Sequence, residues 1–218
     1  MHHHLSLSTI AAALVPLALV QAQQPCAPVN IIVARGSIEA QGTGLLGTVA
    51  KNTSSQIPGS IITPLVYPAE LNPYPPSVAA GVANMTKLLN QQATDCPGTK
   101  LGAQVSLDTL CGTSDGPNFN TTVAQAPMVG SKIAAVVLIA DPTFVANQPF
   151  SRGTSKTNGI FPRQDFSQCQ SLTSRFASFC DDTDLFCASG SNLTVHLGYF
   201  QNQQYMAMAS SFILQNVR

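Results

Sequence analysis

Apolar positions along this chain change their period several times, and each change marks an element. Val29-Asn30-Ile31-Ile32-Val33-Ala34 is short, β-branched and almost continuously apolar, which predicts a buried strand. Ser60 to Tyr67 is a second strand candidate, weakened by Pro64, which has no N–H for a ladder. From about Ser77 to Ala93, the residues Val78, Val82, Met85, Leu88 and Leu89 recur at helical spacing and predict a helix with one apolar face. Lys132 to Ala140 is a continuous apolar run, typical of an interior parallel strand, and Asp141-Pro142 ends it. Phe176 to Phe179 reads as a short strand, and Tyr205 to Val217 as an apolar helix that packs on the sheet. Strands alternating with helices indicate a parallel sheet between two helical layers, a three-layer α/β/α sandwich.

The first residues stand apart. Leu5 to Leu19 is mostly apolar, too short to span a bilayer, and interrupted by Pro16; Val20-Gln21-Ala22 supplies small residues for cleavage. Residues 1–22 therefore read as a secretory signal peptide, leaving residues 23–218 as one domain without a visible linker or repeat. His2, His3 and His4 lie on the segment to be removed and make no metal site in the mature chain.

Composition agrees with secretion. Six cysteines are an even count suited to an oxidising compartment. Four glycosylation acceptors begin at Asn52, Asn84, Asn120 and Asn192. Ten basic residues balance ten acidic ones, and only 9% of the chain is charged, with no basic patch. Nucleic acid and anionic membrane are thereby disfavoured as partners; a neutral substrate fits.

Candidate chemistry lies near the C-terminus. Cys180-Asp181-Asp182-Thr183-Asp184-Leu185-Phe186-Cys187 can close a small loop around Asp184, and His196 follows on a Gly/Ser/Asn-rich stretch. An acid and then a histidine on loops after a strand is the back half of a hydrolase triad in the order Ser, Asp, His. On spacing alone, a solvated turn aspartate and a helix-terminal histidine account for the stretch equally well. Asp141, at the end of an apolar run, is a second candidate acid.

The pattern C-x-x-x-D-x-x-C followed by His196-Leu197-Gly198-Tyr199 resembles the cutinase and acetylxylan esterase family of secreted serine esterases, and the resemblance covers almost the whole mature chain. It implies an α/β-hydrolase-like sheet, with Asp184 and His196 as two triad members. It also implies an oxyanion contact from Ser37, because Ala34-Arg35-Gly36-Ser37 resembles the end of the family's first strand. The implied disulfides are Cys26–Cys96 and Cys180–Cys187, which leaves Cys111 and Cys169 for each other. It implies no cofactor or metal, a monomer outside the cell, and as substrate an ester-bearing plant polymer (cutin-like polyester or acetylated xylan) or a small ester.

The nucleophile does not follow the resemblance. In the family, C-P-x-T-K leads into an apolar strand ending in G-Y-S-Q-G, then A-Q and a helix. Here Cys96-Pro97-Gly98-Thr99-Lys100-Leu101 passes straight to Gly102-Ala103-Gln104, so roughly seven residues are absent, including the elbow serine. Gly112-Thr113-Ser114-Asp115-Gly116 matches G-x-S-x-G but follows a predicted helix instead of a strand. Ser106 follows Thr99 to Leu101, too short to be the strand before an elbow. No serine has the required context. The central strand is expected to be truncated and the sheet damaged, with apolar faces and strand edges exposed. A substitute is available: Leu101, Ala103, Val105 and Leu107 alternate and could form a strand at the expense of a helix from Ala103 to Cys111.

Two function classes follow. One is a secreted serine esterase, inactive in this form. The other is a non-catalytic secreted binding protein on the same scaffold. Retention of Asp184, His196 and Ser37 favours the first; the transcript across Lys100–Gly102 separates them.

Overall fold

The computed structural model describes residues 26–96, 100–104 and 107–217. The expected signal peptide, Thr99 and Ser106 lie outside the described residues. Six parallel strands form one sheet: β1 (Val29–Val33), β2 (Ile61–Pro64), β3 (Lys100–Gln104), β4 (Ile133–Ile139), β5 (Ser151–Arg152) and β6 (Phe176–Phe179), in the order β2-β1-β3-β4-β6-β5. The helices are α1 (Gly47–Ser54), α2 (Tyr74–Asp95), α3 (Leu107–Cys111), α4 (Ala126–Val129), α5 (Leu193–Gly198) and α6 (Gln203–Val217), with a 3₁₀ segment over Ser167–Arg175.

Side-chain alternation on the central strands builds a core on each face. From β4, Val136 and Leu138 join Met85 and Leu89 of α2 and Leu110 of α3. Ala135 and Val137 point the other way, toward Val49 of α1 and Met206, Ala209 and Ile213 of α6. This is the expected α/β/α sandwich. Pro64 closes the edge strand β2, where its missing N–H costs no ladder bond. Helix α2 runs from Tyr74, earlier than the apolar pattern placed it, because Pro75 and Pro76 occupy first-turn positions that need no N–H partner.

The expected breach in the sheet is not there. β3 pairs with β1 from Val29↔Lys100 to Val33↔Gln104 and with β4 from Leu101↔Ile133 to Ala103↔Val136, with one irregularity between Leu101 and Gly102. The helix expected from Ala103 is correspondingly short and begins at Leu107. The physical reason is a balance of backbone groups. Leaving β1 and β4 apart would strand two ladders of buried N–H and C=O groups, whereas unwinding about one turn of helix and re-pairing it satisfies them.

Three disulfides pin the loops: Cys26–Cys96, Cys111–Cys169 and Cys180–Cys187. Cys111 ends α3 and Cys169 lies in the 3₁₀ segment, so this bridge ties the shortened helix to the face of the sheet.

Candidate active site

All strands are parallel, so the segments leaving their C-terminal ends gather along one rim of the sheet, where open α/β folds place their sites. Three of those segments carry the residues singled out from the sequence.

The segment after β6 is the Cys180–Cys187 loop. Asp184 is fully buried inside it. Its Oδ1 accepts the N–H of Phe186 at 2.7 Å and that of Cys187 at 2.8 Å. Its backbone pairs with Asn192 as an isolated parallel bridge, and its carbonyl accepts the N–H of Gly190 at 2.8 Å. A Cβ at Gly190 would come within 2.2 Å of the Thr183 carbonyl oxygen, so the close return of the chain requires glycine there. Tyr199 and Tyr205 brace the loop from α6's side: the N–H of Asp181 donates to the Tyr199 hydroxyl at 2.6 Å, and the Tyr205 hydroxyl donates to Asp181 Oδ1 at 2.6 Å.

His196 lies within the short helix α5, not on a loop as its sequence surroundings suggested. Asn192 caps that helix, its side chain accepting the Val195 N–H at 3.2 Å. Nδ1 of His196 faces the Asp184 carboxylate, 3.2 Å from Oδ2 and 3.3 Å from Oδ1. Phe186 meets the imidazole edge-on at 4.6 Å between centroids and limits its rotation. Burial alone raises the Asp184 carboxyl, but the hydrogen bonds from His196, Cys187 and Phe186 outweigh it and hold the group below the ordinary carboxylate range. A buried anion on Nδ1 fixes the tautomer that leaves Nε2 free to accept a proton.

Ser37 is half-buried in the turn after β1. Arg35, itself buried, shapes that turn: Nε donates to the Glu39 carbonyl at 2.8 Å and Nη2 to the carbonyls of Tyr67 and Pro68 at 2.8 and 2.9 Å. The Tyr67 hydroxyl returns a bond to the Arg35 carbonyl. Ile38, next to Ser37, has φ 62°, a strained value for a β-branched residue, held by its N–H to the Ala69 carbonyl at 2.7 Å.

Between the Ser37 turn and the Asp184 loop runs β3, with β4 beside it. β1 and β6 are three ladder steps apart, about 14 Å, and the end of β3 lies inside that span. The expectation that only Thr99 to Leu101 precedes Ser106 is corrected: a five-residue strand ends at Gln104, and α3 begins at Leu107. Ser114 is confirmed outside any strand-to-helix turn; its Oγ accepts the N–H groups of Gln164 and Asp165 at 3.3 and 3.2 Å. Asp141 is turned onto its own loop, accepting the N–H and hydroxyl of Thr143 at 2.8 and 2.9 Å, and so does not serve His196.

The sequence reading missed a buried ionic group behind the rim. Arg163, fully buried, pairs with Asp108 on α3, lies 3.2 Å from Asp115 Oδ1, and donates to the Gly112 carbonyl at 2.6 Å. Burial, and then the neighbouring Asp108 charge, push the Asp115 carboxyl up to about 8, with Arg163 opposing. Sparse charge was the available signal: in a chain so poor in ionisable residues, an Asp on either side of a helix end stands out. Among the described residues no group of three His, Cys, Asp or Glu side chains could hold a metal ion, and no helix is long and apolar enough to cross a membrane.

Comparison with known proteins joins the chain to one group. The model of the cutinase family matches residues 25–217. Acetylxylan esterase 2 of Talaromyces purpureogenus is 30% identical over 225 aligned residues, covering 95% of this chain and 94% of that protein. Cutinase 11 of Verticillium dahliae is 30% identical, covering 87% of this chain and 69% of its own length. Among solved structures, the catalytic core domain of acetyl xylan esterase from Trichoderma reesei superposes with a TM-score of 0.79 at 28% identity, over 88% of this chain and all of that domain.

Proposed function

This chain belongs to the cutinase family of carboxylic ester hydrolases, and from that premise we propose that it is a secreted serine-esterase scaffold, hydrolytically silent in this form because the nucleophile segment is absent. The observation that carries the reading is the Asp184–His196 pair, buried acid against half-exposed imidazole, on the rim of the sheet. In the complete site a serine at the end of the strand in β3's place gives its proton to His196 Nε2 as it attacks the ester carbonyl. Asp184 stabilises the imidazolium, and Ser37 donates to the oxyanion. His196 then protonates the leaving alcohol. The substrate class is a cutin-like polyester or acetylated xylan, both neutral, as is this chain at neutral pH. Three disulfides and the relatives support an extracellular site of action.

One observation favours a second reading, in which Ser106 is the nucleophile: β3 ends two residues before it and α3 begins immediately after it. Against it, Gln104-Val105-Ser106-Leu107-Asp108 has neither glycine of an elbow, and Asp108 is committed to Arg163. The test is hydrolysis of a short-acyl nitrophenyl ester by the chain, His196→Ala and Ser106→Ala. The silent reading expects all three to match. A rate in the parent chain that both substitutions abolish establishes Ser106 instead.

A further inference from the structure

The four glycosylation acceptors are equivalent in sequence but not in the fold. Asn52 lies in α1, followed by Thr53, which is fully buried. Asn84 lies inside α2, followed by the fully buried Met85, and its Nδ2 already donates to the Val66 carbonyl at 2.7 Å. At the third acceptor Asn120 and Thr121 are exposed, but the Thr122 hydroxyl is bonded to the Thr113 N–H at 2.9 Å. Only at Asn192-Leu193-Thr194 are all three residues exposed. There the helix cap uses Oδ1 of Asn192 alone, and among the described residues nothing accepts from its Nδ2.

We propose that Asn192 carries an N-linked glycan standing at the entrance to the His196 site. The transfer joins Nδ2 to the anomeric carbon of an oligosaccharide on a polyprenyl-diphosphate carrier. The carbon–oxygen bond to diphosphate breaks with its electron pair going to diphosphate, and the amide gives up one proton. The cap survives, because Oδ1 remains an acceptor for the Val195 N–H. Asn192 is four residues from His196, and its carbonyl accepts the His196 N–H at 3.4 Å, so the sugar is attached within about one helical turn of the histidine. The glycan's bearing on substrate access rests on the esterase reading; its attachment does not.

The full chain is secreted from a yeast host, and peptides are mapped after enzymatic deglycosylation, which converts a glycosylated asparagine to aspartate. The expected result is conversion at Asn192 in most molecules, with one step of gel mobility lost in Asn192→Gln and in Thr194→Ala. The second variant keeps the cap and so separates loss of the sugar from loss of folding. His196 is the only histidine beyond residues 2–4, so its carbethoxylation by diethylpyrocarbonate should speed up several-fold when the folded protein is deglycosylated. An unmodified Asn192 in the secreted protein, conversion at Asn52 or Asn84 in its place, or a carbethoxylation rate indifferent to the glycan overturns the proposal.

Discussion

Cys187 donates its backbone N–H to Oδ1 of Asp184 at 2.8 Å, while its sulfur is bonded to Cys180. The same residue therefore closes the loop and orients the acid. Replacing both cysteines by serine should destabilise the fold by about 2 to 3 kcal/mol, the chain-entropy value for so short a loop. It should also broaden the downfield proton resonance of His196 Nδ1–H. Loss of stability with an unchanged resonance would show that the hydrogen bonds of Asp184 hold without the bridge.

Inserting an apolar strand ending in Gly-Tyr-Ser-Gln between Leu101 and Gly102 should confer hydrolysis of short acyl esters. The insertion supplies the serine and a second oxyanion N–H, with Gly102 as the closing glycine, and releases Gly102 onward to lengthen α3. His196→Ala or Asp184→Asn in the repaired protein should each cost on the order of a thousandfold in turnover, since triad members act as a unit. Activity indifferent to His196 would refute the assignment.

The unrepaired chain should unfold in one sharp thermal transition and bind little anilinonaphthalene dye. This reverses the expectation that follows from a missing strand, because β3 closes the sheet between β1 and β4. A broad transition with strong dye fluorescence would mean that the β3 pairing is not maintained in solution.

Stability should fall as pH rises from about 4 to about 8. The folded Asp115 carboxyl titrates at about 8, above its unfolded value, so the native state binds the extra proton in that window. Its contribution is full below the unfolded pKa and is lost by the folded one, with a slope approaching about 1.4 kcal/mol per pH unit. Urea titrations of the parent and Asp115→Asn check this; the variant should lose the slope. Arg163→Met should cost about 3 to 5 kcal/mol at neutral pH, because it leaves the buried Asp108 without its ion-pair partner.

The layers of the fold were legible because β1, β4 and β6 are apolar runs bounded by turn residues, and α2 and α6 keep helical period. The 100–111 stretch was not, since its alternating residues satisfy a strand and a helix alike, and the choice was made by the unpaired edges of β1 and β4, which no local pattern contains. Asp184 and His196 stood out through the flanking cysteines, whereas the Arg163 cluster joins residues 48 to 55 positions apart, and the sparse charge that marks Asp108 and Asp115 does not point to Arg163 as their partner. The helix around His196 was hidden by its Ser, Asn and Gly surroundings, of which Asn192 caps α5.

The two-way character of the segment after Lys100 matters to the cell that makes the protein. Quality control detects a faulty chain by how often it is unfolded and how much grease it shows, not by whether it can turn over a substrate. With the segment paired as β3, the sheet is closed and neither alarm is raised by this chain. On the proposed reading of a silent, secreted scaffold, the chain is exported well folded, and the amount found outside the cell is no measure of the hydrolysis it performs.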